Sequence, residues 1–169
     1  MAKEFTDQRV KFLIGDVRDR NRLHLAFRGV DIVVHAAALK RVEAGERDPL
    51  EFVKTNVGGA ESVIDAALSC GASRVLALSS DKAVNPANLY GATKLLAERL
   101  FVAANAYDGS KTTRFSCVRY GNILGSRGSL VPMLIENRDG PIPLTDSRMT
   151  RFIHTRGAAV EVVMSCSET

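Results

Sequence analysis

Tryptophan is absent, aromatic residues make up only 6% of the chain, and cysteine and histidine occur three times each. Cys70, Cys117 and Cys166 are odd in number, far apart and set among apolar neighbours, as in Phe115-Ser116-Cys117-Val118. That pattern reads as core thiols in a reducing compartment rather than a disulfide framework. His24, His35 and His154 have no Cys or His partner at ligand spacing, which argues against a zinc site. No apolar run approaches the roughly 20 residues that a bilayer-crossing helix needs, and no basic-then-apolar leader opens the chain. The expectation is a cytoplasmic protein without a membrane partner. No block of like charge occurs either: 23 Lys and Arg are interleaved with 19 Asp and Glu, for a net charge of +4. Nucleic acid is therefore not an expected partner.

What remains is an ordinary globular composition, 46% hydrophobic and 25% charged over 169 residues, enough for one domain with a core. Residues 10–15 and 31–38 are short apolar runs that read as buried parallel strands, with a short crossover helix over residues 21–28 between them. Asp48-Pro49 reads as an N-cap with proline at the first helical position, and Leu50, Val53, Val57, Ala60, Ile64 and Ala67 carry the helical period to Gly71. Arg74–Ser80 is a third strand, residues 89–107 a helix stopped by Asp108-Gly109-Ser110, and residues 114–124 a fourth strand. After Pro132 the pattern predicts a short helix, a turn at Gly140-Pro141, extended pieces over residues 142–144 and 151–154, and a final helix over residues 157–166. Strand alternating with helix defines an α/β domain with a parallel sheet.

In open parallel sheets ligands sit beyond the carboxyl ends of the strands. Here those ends are Gly15-Asp16-Val17-Arg18-Asp19, His35-Ala36-Ala37-Ala38, Ser79-Ser80-Asp81-Lys82 and Arg119-Tyr120-Gly121-Asn122, all polar or small. Ala36, Ala37 and Ala38 suit either the approach of a flat cofactor or tight strand-to-helix packing. The sharpest local pattern is Tyr90-Gly91-Ala92-Thr93-Lys94, since residues four apart share a helix face. An ammonium near a phenol favours the phenolate, the base that oxidation of an alcohol needs. Spacing alone is weak, because Tyr107 and Lys111 repeat it across Asp-Gly-Ser, which breaks any helix. Tyr90 differs in following a strand that ends in Ser80, whose hydroxyl can bond the same substrate oxygen.

The segment from Ser79 to Lys94, Ser-Ser-Asp-Lys-Ala-Val-Asn-Pro-Ala-Asn-Leu-Tyr-Gly-Ala-Thr-Lys, closely resembles the active-site stretch of UDP-N-acetylglucosamine 4,6-dehydratases that invert C5, in the extended short-chain dehydrogenase/reductase superfamily. His35-Ala36-Ala37-Ala38-Leu39-Lys40, Lys54-Thr55-Asn56, Arg119-Tyr120-Gly121-Asn122, Gly125-Ser126-Arg127-Gly128-Ser129 and Met149-Thr150-Arg151-Phe152 also resemble that family's signatures, in order. The resemblance implies an enzyme, a sugar-nucleotide lyase working on UDP-N-acetylglucosamine with NADP or NAD. It assigns Tyr90, Lys94 and Ser80 to oxidation at C4, Lys82 to the base at C5 and Asp81 to the acid at C6. It also assigns Asp16, Val17, Ala36, Ala37, Ala38, Asn56, Tyr90 and Lys94 to the cofactor, and Lys40, Asn122 and Arg127 to the substrate side. Arg127 reads equally well as an exposed turn residue. Relatives that retain C5 configuration carry methionine where Tyr90 stands, which favours the soluble inverting branch. The full-length relative is expected to be a homo-oligomer.

The same resemblance implies what is missing. The chain contains no Gly-x-Gly-x-x-Gly or Gly-x-x-Gly-x-x-Gly, the turn that grips a dinucleotide pyrophosphate. Residues 1–169 are therefore expected to form a partial Rossmann-like domain, without the first two strands and the glycine-rich loop, plus the start of a substrate-binding region. With strand order 3-2-1-4-5-6, residues 10–15 lose their inner neighbour unless they slide over to pair with residues 31–38. The segment from Met133 to Pro141 is shorter than the family pattern, and His154 stands where an aromatic is usual. A sugar-nucleotide 4-epimerase, which does without Asp81-Lys82, and a non-catalytic remnant or interaction module are the alternative readings.

Overall fold

The computed structural model describes residues 7–107, 109, 112–126, 130–138, 140–141 and 146–168. The predicted extended piece at residues 142–144 lies outside them, as does Arg127. A three-stranded parallel sheet runs β1 (Ile32–His35), β2 (Arg74–Ser80), β3 (Arg114–Tyr120), in that spatial order. Ile32 pairs with Arg74, and β2 and β3 run in register from Arg74 opposite Arg114 to Ser80 opposite Tyr120. Val75 and Leu76 point to opposite faces of β2 and are both buried, so the central strand is covered on both sides.

Several helices follow their terminal signals, whereas Asp48, expected to cap the helix that opens at Pro49, makes no side-chain capping bond. α1 (Arg20–Ala26) starts where the Asp19 carboxylate accepts from the Arg22 backbone N–H. α2 (Val42–Arg47) is a short helix that the periodicity did not announce. The predicted helix from Pro49 to Gly71 is three joined pieces: α3 (Pro49–Phe52), a π-helical turn (Val53–Gly58) and α4 (Gly59–Cys70). Gly71 closes it in the left-handed conformation, φ 72°, with its N–H on the carbonyls of Ala67 and Leu68. α5 (Leu89–Ala104) begins at Asn88, whose side chain accepts from the Gly91 N–H at 2.9 Å. It ends before the predicted residue 107. α6 (Leu130–Glu136) takes Pro132 into its first turn, where proline's missing N–H costs nothing, and α7 (Arg156–Glu168) runs slightly longer than expected.

The core lies between the sheet and helices α4 and α5. Val63, Ala67, Val75, Ala97, Phe101 and Phe115 interlock there, and the Phe101 and Phe115 rings pack at a tilt of 40° with centroids 6.3 Å apart.

Two strand expectations are corrected. Residues 10–15 form no strand and do not slide onto β1; Phe12, Leu13 and Ile14 are 49%, 58% and 94% exposed. An apolar run becomes a strand only where another strand meets its backbone groups. Instead, a groove of about 370 Å³ separates Leu13 and Ile14 from Val33 and Val34. The predicted strand over residues 114–124 breaks at Gly121. A Cβ on Gly121 would stand 2.2 Å from the Phe152 carbonyl oxygen, so only glycine admits that backbone. Beyond it, β4 (Asn122–Ile123) leaves the main sheet and pairs in parallel with β5 (Ile153–His154), Asn122 opposite Ile153.

Candidate active site

The carboxyl ends of β1, β2 and β3 open together on a cleft of about 610 Å³. Ala36 and Ala38 wall one side, Ser79 and Ser80 form the middle, and Tyr120, Gly121 and Asn122 close the other. α5 brings Tyr90 and Lys94 to the same space, and the chain between β1 and α2 adds Lys40 and Arg41.

Ser80 ends β2 and caps a single 3-10 turn, Asp81–Ala83, accepting from the Lys82 N–H at 3.3 Å. Its hydroxyl donates to Asp81 Oδ1 at 3.0 Å. Lys82 Nζ donates to the same carboxylate oxygen at 3.0 Å and to Asn122 Oδ1 at 3.1 Å. The turn reaches Tyr90 because residue 91 is glycine: a Cβ there would lie 2.2 Å from the Lys82 carbonyl oxygen. Burial alone would raise the Asp81 carboxyl, but hydrogen bonds from Lys82 and Ser80 outweigh it and hold the group below its ordinary range.

Tyr90 and Lys94 share the helix face that the spacing requires, yet the electrostatics differ from the sequence argument. Burial pushes the Tyr90 phenol above its ordinary value; the Ser80 hydroxyl pulls the other way and is outweighed. The Lys94 ammonium, 6% exposed, donates instead to the Leu78 carbonyl at 2.6 Å. The expected lowering of the phenol by the lysine is therefore absent from this state.

Asn56 does not line the cleft but sits fully buried behind it. Its side chain accepts from the Leu39 N–H at 2.8 Å, donates to the Leu39 carbonyl at 3.0 Å and donates to Thr93 Oγ1 at 3.0 Å. Thr93 in turn donates to the Tyr90 carbonyl at 2.8 Å. The π-helical turn carrying Asn56 thereby ties the wall after β1 to the helix that carries Tyr90.

Asp16, Val17, Ala36 and Ala37 line the second groove, which meets the cleft at Ala36. Arg18 bonds the Asp16 carboxylate through its side chain and its backbone N–H and holds that group's pKa at about 2. Val17 packs on the start of α4, where a Cβ at Gly59 would come within 2.8 Å of its Cγ1. These residues fit parts of a dinucleotide. The small side chains Ala36, Ala37 and Ala38 leave backbone open to a flat ring, and an ionised Asp16 suits an amino donor. No pyrophosphate turn occurs in the sequence.

The structure thus gathers Lys40, Ser80, Lys82, Tyr90, Lys94 and Asn122 around one cleft, with Asp81 bonded to two of them. Arg41, Val42, Glu43, Tyr120 and Ile123 line it too and were not singled out from the sequence. Tyr120 was within reach of the strand-end rule, being the last residue of β3 opposite Ser80. Arg41, Val42 and Glu43 carried no local signal.

The parallel sheet, its flanking helices and the polar cluster at its carboxyl ends define a Rossmann-like α/β protein. The chain belongs to the polysaccharide biosynthesis protein family, whose profile matches residues 1–169. It is 51% identical over 168 residues to the inverting UDP-N-acetylglucosamine 4,6-dehydratase of Campylobacter jejuni, covering 98% of this chain and 50% of that protein. It is 42% identical over 172 residues to a UDP-glucose 4-epimerase of Rickettsia bellii, covering 99% of this chain and 50% of that one. The crystal structure of the dTDP-glucose 4,6-dehydratase DesIV from Streptomyces venezuelae with NAD bound superposes with a TM-score of 0.84 at 25% identity, over 96% of this chain and 56% of DesIV. The chain spans about half the length of the curated relatives it matches. Among the described residues no helix is long and apolar enough to cross a membrane.

Proposed function

We propose that this cleft belongs to an NAD(P)-dependent enzyme that removes water from UDP-N-acetylglucosamine across C5 and C6 with inversion at C5, leaving a 4-keto-6-deoxy sugar nucleotide. The observation that carries the reading is the presence of two proton-handling stations in one cleft, Tyr90 with Ser80, and Lys82 with Asp81. Simple oxidation and reduction at C4 needs only the first.

In this reading Tyr90 first releases its own phenolic proton to water and then, as the phenolate, accepts the C4 hydroxyl proton, while Ser80 holds the same oxygen by hydrogen bond. Lys94 and the alanines after β1 hold the cofactor's nicotinamide end, with Asp16 and Val17 toward its adenine. A bound nicotinamide dinucleotide supplies the acceptor for the hydride from C4 and the donor of hydride to C6. The C4 ketone acidifies the proton on C5. Lys82, in its unprotonated form, removes that proton, and Asp81, in its protonated form, gives one to the departing C6 hydroxyl, which leaves as water. The resting ion pair of Lys82 and Asp81 becomes that base and acid by one proton transfer across their 3.0 Å hydrogen bond. Lys40 and Asn122 face the sugar nucleotide. Cytoplasmic location and homo-oligomeric assembly of the longer protein belong to the same reading.

A 4-epimerase is the second reading, favoured by the Tyr90 and Lys94 pair and by the Rickettsia relative. The test incubates the chain with NADP or NAD and UDP-N-acetylglucosamine in deuterated water, after a thermal melt with and without these ligands. The expected result is a melt that rises with ligand, by about 2.7 kcal/mol at a hundredfold excess over Kd, and a keto sugar carrying deuterium at C5. Lys82→Ala should abolish the exchange at C5. A 4-epimer with its C6 hydroxyl intact would favour the second reading, and a ligand-insensitive melt would leave the chain a non-catalytic module.

A further inference from the structure

The proposed reaction leaves one buried carboxylate without a role. Glu98 lies four residues after Lys94 on the same inward face of α5, and the two are 8% and 6% exposed. Its carboxylate receives both arms of the Arg119 guanidinium, Nε to Oε1 at 2.9 Å and Nη2 to Oε2 at 2.6 Å. Arg119 comes from β3, immediately before the Tyr120 that lines the cleft. A forked pair of this kind joins the helix carrying Tyr90 and Lys94 to the strand that leads to Asn122.

The surroundings of Lys94 explain why an anion is needed there. Its one described hydrogen bond is to a neutral carbonyl, that of Leu78 on β2. Its charge acts on His35 of β1 and on Cys117 of β3, and Glu98 is itself paired with Arg119. Burial, and after it the charge on Lys94, push His35 down to about 4, so the imidazole is neutral near pH 7. Burial first, and then Glu98, push the Cys117 thiol up to about 11, so it too is neutral. Tyr90 opens on the same cleft as an un-ionised phenol. Among these groups Glu98 alone carries negative charge.

We propose that Glu98, itself held by Arg119, is a positioning residue that keeps the buried Lys94 side chain protonated, with Arg119 drawing off part of the carboxylate's charge. Burial works against the Lys94 charge and lowers its pKa, and Cys117 and Glu98 oppose that fall. Since the thiol is protonated over the working range, the opposing charge there comes from Glu98. The consequence for Tyr90 rests on the function proposed above. The charge state of Lys94 does not, and it is measurable without cofactor or sugar.

The experiment is a titration of the whole chain labelled with 13C at lysine Cε, followed by NMR, with the Lys94 signal identified by its loss in Lys94→Arg. In Glu98→Gln the Lys94 midpoint should fall by about one unit or more. Glu98→Asp, which keeps the charge, should restore most of it, and Arg119→Gln should move the midpoint upward. Unfolding moves a buried lysine up toward its ordinary value, so a fall in Glu98→Gln cannot come from loss of structure. An unchanged or raised midpoint in folded Glu98→Gln, or equal shifts in the Gln and Asp variants, would overturn the proposal. Should Glu98→Gln fail to fold by circular dichroism, Arg119→Gln decides alone, and an unchanged or lowered midpoint there overturns it. Failure to dehydrate the sugar, with these titrations as expected, counts against the function and not against the role of Glu98.

Discussion

Acid should destabilise this protein through His35 before it reaches the carboxylates. The imidazole ends β1, is 6% exposed, and rests against Phe101 with ring centroids 5.6 Å apart. Burial, then the nearby Lys94 ammonium, lower its pKa from 6.5 to about 4. The folded value is the depressed one, so between pH 6.5 and about 4 the unfolded chain binds the proton and the folded chain does not. The stabilisation is thus fully present above the unfolded value and is lost as pH falls through that window. At about 1.4 kcal/mol per unit the full loss is about 3 kcal/mol, a large share of the 5–15 kcal/mol that holds a typical domain together. Urea unfolding followed by circular dichroism, from about pH 7 to about pH 4, measures it in the native chain and in His35→Asn. The variant should be less stable at neutral pH, because it loses packing against Phe101, but its stability should decline far less on acidification. Depressed carboxylates such as Asp81 lose their contribution at lower pH in both chains and cancel in the difference. Parallel decline of the two curves would refute the reasoning.

Two further substitutions test how the cleft is held. Gly91→Ala puts a methyl group 2.2 Å from the Lys82 carbonyl, so the 3-10 turn must shift by about 1 Å; overpacking of this kind costs about 1–3 kcal/mol and should show as a lowered thermal midpoint, whereas no change would mean the turn is not pinned there. Asn56→Ala strips the backbone of Leu39 of two hydrogen bonds to one side chain and Thr93 of one; it should cost about 2–3 kcal/mol in chemical denaturation and accelerate hydrogen exchange at the Leu39 amide. Slow exchange at Leu39 in that variant would show that other groups hold the wall.

Much of this arrangement was legible in local pattern. β2 was read at its observed bounds because a short apolar run between turn signals has few other uses, and α5 begins at the predicted residue 89. The four-residue spacing of Tyr90 and Lys94 by itself puts both on one helix face. Residues 10–15 misled because they carry the same local pattern as β1. Their apolar side chains are a necessary feature of a strand, while the ladder that makes one is supplied from elsewhere in space. The break at Gly121 was likewise hidden, since only the approach of Phe152, distant in sequence, gives that glycine its purpose.

The sequence alone therefore determined the class of fold, the order of its main elements and the residue types gathered at the strand ends, because helical and strand periods and caps act over a few residues. Tertiary structure decided which groups bear charge and on what they lean. Lys94 turns to the Leu78 carbonyl, Lys82 is shared between Asp81 and Asn122, and the Tyr90 phenol is raised rather than lowered. Such outcomes depend on burial and on partners brought together from distant parts of the chain, and the strength of an electrostatic interaction follows from that surrounding medium as much as from the charges themselves.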